Sequence, residues 1–262
     1  MRKVLKPLYY ALLPVMRVIP IGAVKAVNRG LRATTAGGHR LQQTLQWRIA
    51  KHPPEWYDHF LDQHWRWSVT RNPMSWERGI IGLLGMRPGA RVLDLCCGGG
   101  FFANRFFSTR ASQVISVDFD PQAIRHAKKN FRAPNVSYLC ADIRTGMPQG
   151  TFDNIAWDAA IEHFTEVEMD QIITNIKGRL TPEGILNGYT LVERPGFKGH
   201  EDHEHEFANR EELAALLKKY FKNVLILSTG YQDQFEQRDN MYFFASDGPV
   251  PFDPSWPSAL RV

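Results

Sequence analysis

Between residues 76 and 246, short apolar runs alternate with stretches whose apolar residues recur every three to four positions. This is the pattern of strands interleaved with amphipathic helices. It predicts a helix over Trp76–Leu84, a turn at Arg87-Pro-Gly89 and a strand over Arg91–Leu95. A helix over 101–108, a strand over 113–117, a helix over 121–130 and a strand over 136–140 follow. Next come a strand over 152–157, a helix over 166–180, a turn at Thr181-Pro-Glu-Gly184 and a strand over 185–191. A polar loop (193–208) leads to a helix over 210–220 and strands over 224–228 and 241–246. Strands separated by helices imply an α/β architecture, with a parallel sheet covered on both faces. Only residues 229–240 join the last two strands, which read as antiparallel neighbours.

Upstream, the pattern changes. Ile21, Val24, Val27 and Leu31 share one side of a predicted helix over 21–32, with Lys25, Arg29 and Arg32 on the other. Gly37-Gly-His39 reads as a break, and 41–50 as a further helix. After His52-Pro-Pro54, a helix over 55–69 holds Trp56, Tyr57, Phe60, Trp65 and Trp67, the density expected of a lid or a pocket wall. The expected organisation is a basic amphipathic arm (1–50), an aromatic-rich helical lid (51–75), a ligand-binding domain (76–247) and an irregular, proline-rich tail (248–262).

Charge sharpens that division. Residues 1–54 hold ten Lys or Arg and no Asp or Glu, so the remainder of this +5 chain is mildly acidic. An anionic partner for the arm is implied. No run of about 18 uncharged apolar residues occurs, which argues against a spanning helix. The expectation is a cytoplasmic protein with peripheral membrane contact through residues 1–36, at the inner face of the membrane. The three cysteines, Cys96, Cys97 and Cys140, form no Cys-x-x-Cys pair and suggest neither a disulfide framework nor a zinc site.

Ligands of parallel α/β sheets sit at the carboxyl ends of the strands. The strand over 91–95 runs into Cys-Cys-Gly-Gly-Gly, where glycines permit close backbone approach. Gly98-x-Gly100-x-x-Ala103 fits a dinucleotide fingerprint, with Asp118 about 20 residues on. Asp94 argues against that ligand, because a carboxylate near a pyrophosphate repels it. The same carboxylate attracts the ammonium and sulfonium of S-adenosylmethionine.

The segment from about 76 to 246 resembles the class I S-adenosylmethionine-dependent methyltransferases, small-molecule type. Their D/E-x-G-x-G-x-G motif reads Asp94-Leu-Cys-Cys-Gly-Gly-Gly100 here, with Cys96 in place of the first glycine. The resemblance implies a Rossmann-like sheet of seven mostly parallel strands, an antiparallel last strand and helices on both faces, plus the helical N-terminal extension. It implies S-adenosylmethionine as cofactor, with Asp94, Cys96, Gly98 and Gly100 at its methionine end. Asp118 would meet the ribose hydroxyls, Asp142 the adenine amino group, and Ile143 and Phe119 the adenine face. Trp157, ending the fourth strand, joins this set.

Two segments carry the acceptor chemistry. Asp158-Ala-Ala-Ile-Glu162-His163 follows the fourth strand, and His163 has the pKa range of a base. His200-Glu-Asp-His203-Glu-His205-Glu-Phe207 follows the fifth. There His-x-Phe-x-x-x-x-Glu-Leu resembles the substrate loop of methyltransferases acting on sugars and lipid-like acceptors. His163, His205 and Glu162 are the expected catalytic residues, and no metal is assigned. The expected reaction is methyl transfer to a small-molecule oxygen. A nucleic-acid methyltransferase is disfavoured by the concentration of basic residues in the arm and by Trp-Asp-Ala-Ala after strand four. A non-catalytic S-adenosylmethionine-binding scaffold or sensor is the reading from another class.

Overall fold

The computed structural model describes residues 20–45, 74–194, 196, 199–232 and 237–254. The expected lid (51–75) lies outside the described residues except at its last two positions, as do 1–19 and the second half of the 41–50 helix. The chain divides into two compact units, Met1–Pro53 and Pro54–Val262.

In the first unit, helix α1 spans Ile21–Thr44. It runs through Gly37-Gly-His39, where the sequence suggests a break. Glycine costs a helix only about 1 kcal/mol relative to alanine, so a pair of them weakens without ending it. The hydroxyls of Thr34, Thr35 and Thr44 donate to carbonyls four residues back, tying successive turns together. Val24, Val27, Leu31 and Leu41 are exposed along this helix. Among the described residues no helix is long and apolar enough to cross a membrane.

In the second unit, helix α2 (Met74–Leu84) precedes β1 (Arg91–Leu95). Helix α3 (101–110) has a π-wound middle, Ala103–Phe107. There follow β2 (Gln113–Asp118), α4 (Pro121–Asn130), β3 (Val136–Cys140) and the single turn α5 (Ile143–Gly146). Then come β4 (Phe152–Asp158), a 3-10 turn over Ile161–His163, α6 (Glu166–Lys177) and β5 (Leu180–Leu191). Helix α7 (Arg210–Lys218) and the hairpin strands β6 (Asn223–Gln232) and β7 (Gln237–Ser246) complete the order. Local chemistry sets the helix starts. Asp120 caps α4 with Pro121 in its first turn, Thr165 and Glu168 form a capping box on α6, and Asn209 caps α7.

All seven strands form one sheet in the order β3-β2-β1-β4-β5-β7-β6. β1 to β5 pair in parallel, while β7 runs antiparallel to both β5 and β6. The Rossmann-like α/β expectation therefore holds, including the antiparallel last strand. β5 begins at Leu180, so the expected turn at Thr181–Gly184 is part of the strand. The pairing of β4 with β5 shifts register between Phe152 and Asn154, which absorbs the extra residues.

Alternation along β1 sorts the two faces. Leu93 and Leu95 pack with Met169, Ile172 and Ile176 of α6 and Leu213 and Leu217 of α7. Val92 faces the other way, with Leu83 of α2, Phe106 and Phe107 of α3, and Ile124 of α4. Asp94 has the parity of Val92 but is a buried carboxylate, one residue before the strand's end. A charge in that position is a cost to folding and marks the carboxyl edge of the sheet as the functional one.

Candidate active site

The strand order reverses between β1 and β4, and there the carboxyl ends of the strands open a crevice. The turn after β1 is built to keep backbone close to that crevice. Cys96, Gly98 and Gly100 all have positive φ, at 55°, 51° and 82°. At Gly100 a Cβ would lie 2.8 Å from Ala127 Cβ and from the Tyr138 ring, so conformation and space both require glycine. Cys96 takes the left-handed turn that the family motif gives to glycine.

The turn is sewn to the end of β2. Cys97 N–H donates to Val117 O at 2.9 Å, and Gly98 N–H to Asp118 Oδ2 at 2.8 Å. The second Asp118 oxygen accepts from Asp120 N–H at 2.9 Å. One carboxylate thus orders the loops after both strands. Asp94 sits beside it and accepts from Ser116 Oγ at 2.9 Å. Burial, with Asp158 and Asp118 nearby, pushes the Asp94 carboxyl up to about 8.

Asp142 follows β3 and does two structural jobs. It caps α5 by accepting from Arg144 N–H at 2.9 Å, and it pairs with the Arg144 guanidinium, whose other partner is Glu168. That guanidinium holds the Asp142 carboxyl below the usual carboxylate range. Ile143 is buried beneath it, while Phe119 is 54% exposed at the rim. Trp157 is fully buried, its ring 5.6 Å from Phe164, with Nε1 lacking a hydrogen-bond partner among the described residues.

On the other side of β1, Asp158 ends β4 and is bound by Arg78 of α2 through both Nε and Nη2. Arg78 lies between the rings of Phe102 and Tyr189, with centroids at 4.7 and 4.6 Å. Nothing in the sequence pattern singles out Arg78, because its partner lies 80 residues away.

Glu162 and His163 follow in the 3-10 turn. Glu162 is buried, accepts from Thr190 Oγ1 at 3.0 Å, and is pushed up to about 7 chiefly by desolvation. Its backbone carbonyl accepts from the N–H groups of Glu204 and His205, which pins the loop after β5 onto this turn. The pinned loop delivers His203, not His205, to the cluster. The His203 ring meets His163 edge-on at 4.8 Å. His205 instead packs on Phe207 and directs Nε2 to Glu212 at 3.0 Å. His203 and its neighbour Glu206 form an i,i+3 pair in the sequence, the one local signal that favours it.

The sheet order, the glycine turn and the row of carboxylates define the class I methyltransferase fold. Residues 92–184 match the family model of a methyltransferase domain. An uncharacterized methyltransferase of Synechocystis sp. is 35% identical over 104 residues, which is 39% of this chain and 48% of that one. The ribosomal protein L11 methyltransferase of Thermotoga petrophila is 32% identical over 105 residues, 39% of each chain. The chain thus spans less than half the length of these two relatives. The N-methyltransferase NodS from Bradyrhizobium japonicum, in complex with S-adenosyl-L-homocysteine, superposes with a TM-score of 0.56 at 20% identity, over 78% of this chain and 97% of that one. Residues 92–184 thus match a methyltransferase domain, and the sheet has the fold of the N-methyltransferase solved with S-adenosyl-L-homocysteine.

Proposed function

We propose that this chain binds S-adenosylmethionine across the ends of β1, β2 and β3 and transfers its methyl group to a small-molecule acceptor, at oxygen. The observation that carries this reading is the carboxylate row at the sheet's carboxyl edge. Burial raises the Asp94 carboxyl most, and repulsion from the nearby Asp158 and Asp118 adds to it. A sulfonium and an ammonium relieve that repulsion, whereas a pyrophosphate would worsen it. In this reading Asp94, with the turn at Cys96, Gly98 and Gly100, holds the methionine end and Asp118 the ribose. Asp142, Ile143 and Phe119 border the adenine. Trp157 supports the floor of the site from the core. Glu162 and His163 face the acceptor, and His205 fixes the acceptor loop through Glu212.

The methyl of a sulfonium is already activated, so in-line alignment of the acceptor supplies much of the acceleration. Arg78 contributes by holding Asp158, and with it the end of β4, in one position.

The arm is proposed to rest on an anionic membrane surface at the inner face of the membrane. Exposed Val24, Val27 and Leu31 beside Lys25, Arg29 and Arg32 support that reading.

Calorimetry with S-adenosylmethionine and with NAD tests the donor site; tighter binding of NAD overturns the reading. Incubating the chain with methyl-labelled donor and fractionated cell extract tests the reaction. A labelled small molecule is expected. Labelled nucleic acid would replace the acceptor class, and donor binding without any labelled product would make the chain a scaffold or sensor.

A further inference from the structure

Glu162, His163 and His203 come from two segments 40 residues apart, yet each presents one ligand-type atom, and these atoms lie within 4.8 Å of one another. Among the described residues no other His, Cys, Asp and Glu group does so. We infer that Glu162, His163 and His203 form a binding site for one divalent transition-metal cation, of the zinc or manganese type.

The hydrogen bonds around the cluster support a ligand role over a merely packed one. His163 Nδ1 lies 3.3 Å from the carbonyl of Asp202. A carbonyl only accepts, so Nδ1 carries the proton and Nε2 presents a lone pair. His203 Nδ1 lies 2.5 Å from Glu206 Oε1, which also accepts from Gly199 N–H at 2.6 Å. That carboxylate fixes the same tautomer on His203. A carboxylate or carbonyl behind each imidazole is the arrangement that orients metal-ligating histidines. Glu162 brings a carboxylate oxygen to the cluster and accepts from Thr190 through Oε2.

Without a cation the cluster is costly. Glu162 is 2% exposed and His203 5%, and the two imidazoles lie edge to face. Two imidazoles and one carboxylate suit zinc or another first-row transition metal better than magnesium or calcium, which favour all-oxygen sets. Three protein ligands leave at least one coordination position open, the pattern of a site that also takes a small ligand. The site stands independently of methyl transfer, since cation uptake and donor binding are measured separately.

The test uses the full-length, tag-free chain, stripped with EDTA and dialysed. Zinc and manganese chlorides are titrated by calorimetry, with magnesium chloride for comparison. One zinc or manganese per chain is expected, with magnesium bound far more weakly. Glu162→Gln keeps the Thr190 hydrogen bond and is expected to lower the affinity at least tenfold, as is His203→Asn. Glu206→Gln, which touches no metal, is expected to lower it about tenfold through the orientation of His203. His126→Asn, remote from the cluster, leaves it unchanged.

If a variant folds poorly, as judged by circular dichroism without metal, the wild-type chain still decides. Loaded with cobalt, it is expected to show a visible band characteristic of mixed nitrogen and oxygen ligation, and zinc is expected to raise its Tm. Failure of the wild-type chain to take up one equivalent would overturn the site, as would wild-type affinity in both Glu162→Gln and His203→Asn.

Discussion

Replacing Asp94 by asparagine is expected to make the protein more stable and a poorer donor binder at the same time. The folded carboxyl titrates near 8, against 3.8 for an ordinary aspartate. The folded chain therefore holds this proton more tightly than the unfolded chain does. Stability falls as pH rises from about 4 to about 8, by up to about 1.4 kcal/mol per pH unit, and then levels off. An asparagine at this position cannot ionise, which removes that slope. By pH 8 the Asp94→Asn variant is expected to be several kcal/mol more stable than wild type, read as a higher urea midpoint at constant m value.

Binding moves the opposite way. At pH 7 stripping the proton from Asp94 costs about 1.4 kcal/mol, while a hydrogen bond to a charged group returns about 1.5–3 kcal/mol. The asparagine variant should therefore lose little affinity at pH 7, on the order of a few-fold, and about 10- to 100-fold at pH 8. Wild-type affinity for S-adenosylmethionine should rise about two- to sixfold per unit between pH 6 and 8, with release of a fraction of a proton to buffer, and the variant's should stay flat. A wild-type Kd independent of pH, or an Asp94→Asn protein less stable than wild type at pH 8, would refute the reasoning.

Arg78→Leu leaves Asp158 partly buried and unpaired, and should cost about 3 kcal/mol by chemical denaturation; a loss under about 1 kcal/mol would show that solvent already compensates the pair. Gly100→Ala places a Cβ against Ala127 and Tyr138 at positive φ. A destabilisation of about 2–4 kcal/mol is expected, and an unchanged urea midpoint would contradict the close approach. The double variant Val27→Glu/Leu31→Glu changes two exposed positions of α1. It should abolish sedimentation with phosphatidylserine vesicles, whereas equal pelleting with wild type would end the membrane reading of the arm.

The elements that periodicity marks most strongly are those whose burial is one-sided. Helix α4 and strand β3 span the ranges expected, because Asp120-Pro121 and Asn130 bound the first and apolar alternation the second. The Thr181–Gly184 segment has the proline and glycine of a turn, but it lies between two residues paired with β4, Leu180 and Ile185, and is carried within β5 as the extra length of the register shift. Gly37–Gly38 misleads for a similar reason, since glycine lowers helix propensity without forbidding the conformation.

The proposed donor residues follow one another in fixed order at strand ends, so their placement along the sheet edge is legible in the sequence. The arrangement of the proposed acceptor residues is not. Spacing alone cannot choose among His200, His203 and His205, and the choice is made by backbone hydrogen bonds from Glu204 and His205 to Glu162, some 40 residues earlier. Arg78 escapes for the same reason: its meaning lies wholly in Asp158.

The strand order β5-β7-β6 has a consequence for how this chain comes off the ribosome. β6 is synthesised before β7, yet it has no place in the sheet until β7 arrives to sit between it and β5. For the time needed to make the last residues of β7, β5 presents a bare, apolar edge, and β6 waits without a partner. Such an edge is a template for pairing with another nascent chain. Slowing translation across residues 237–246 lengthens that exposure. Synonymous changes confined to that stretch are therefore expected to lower the soluble yield, although every folded molecule they produce is identical.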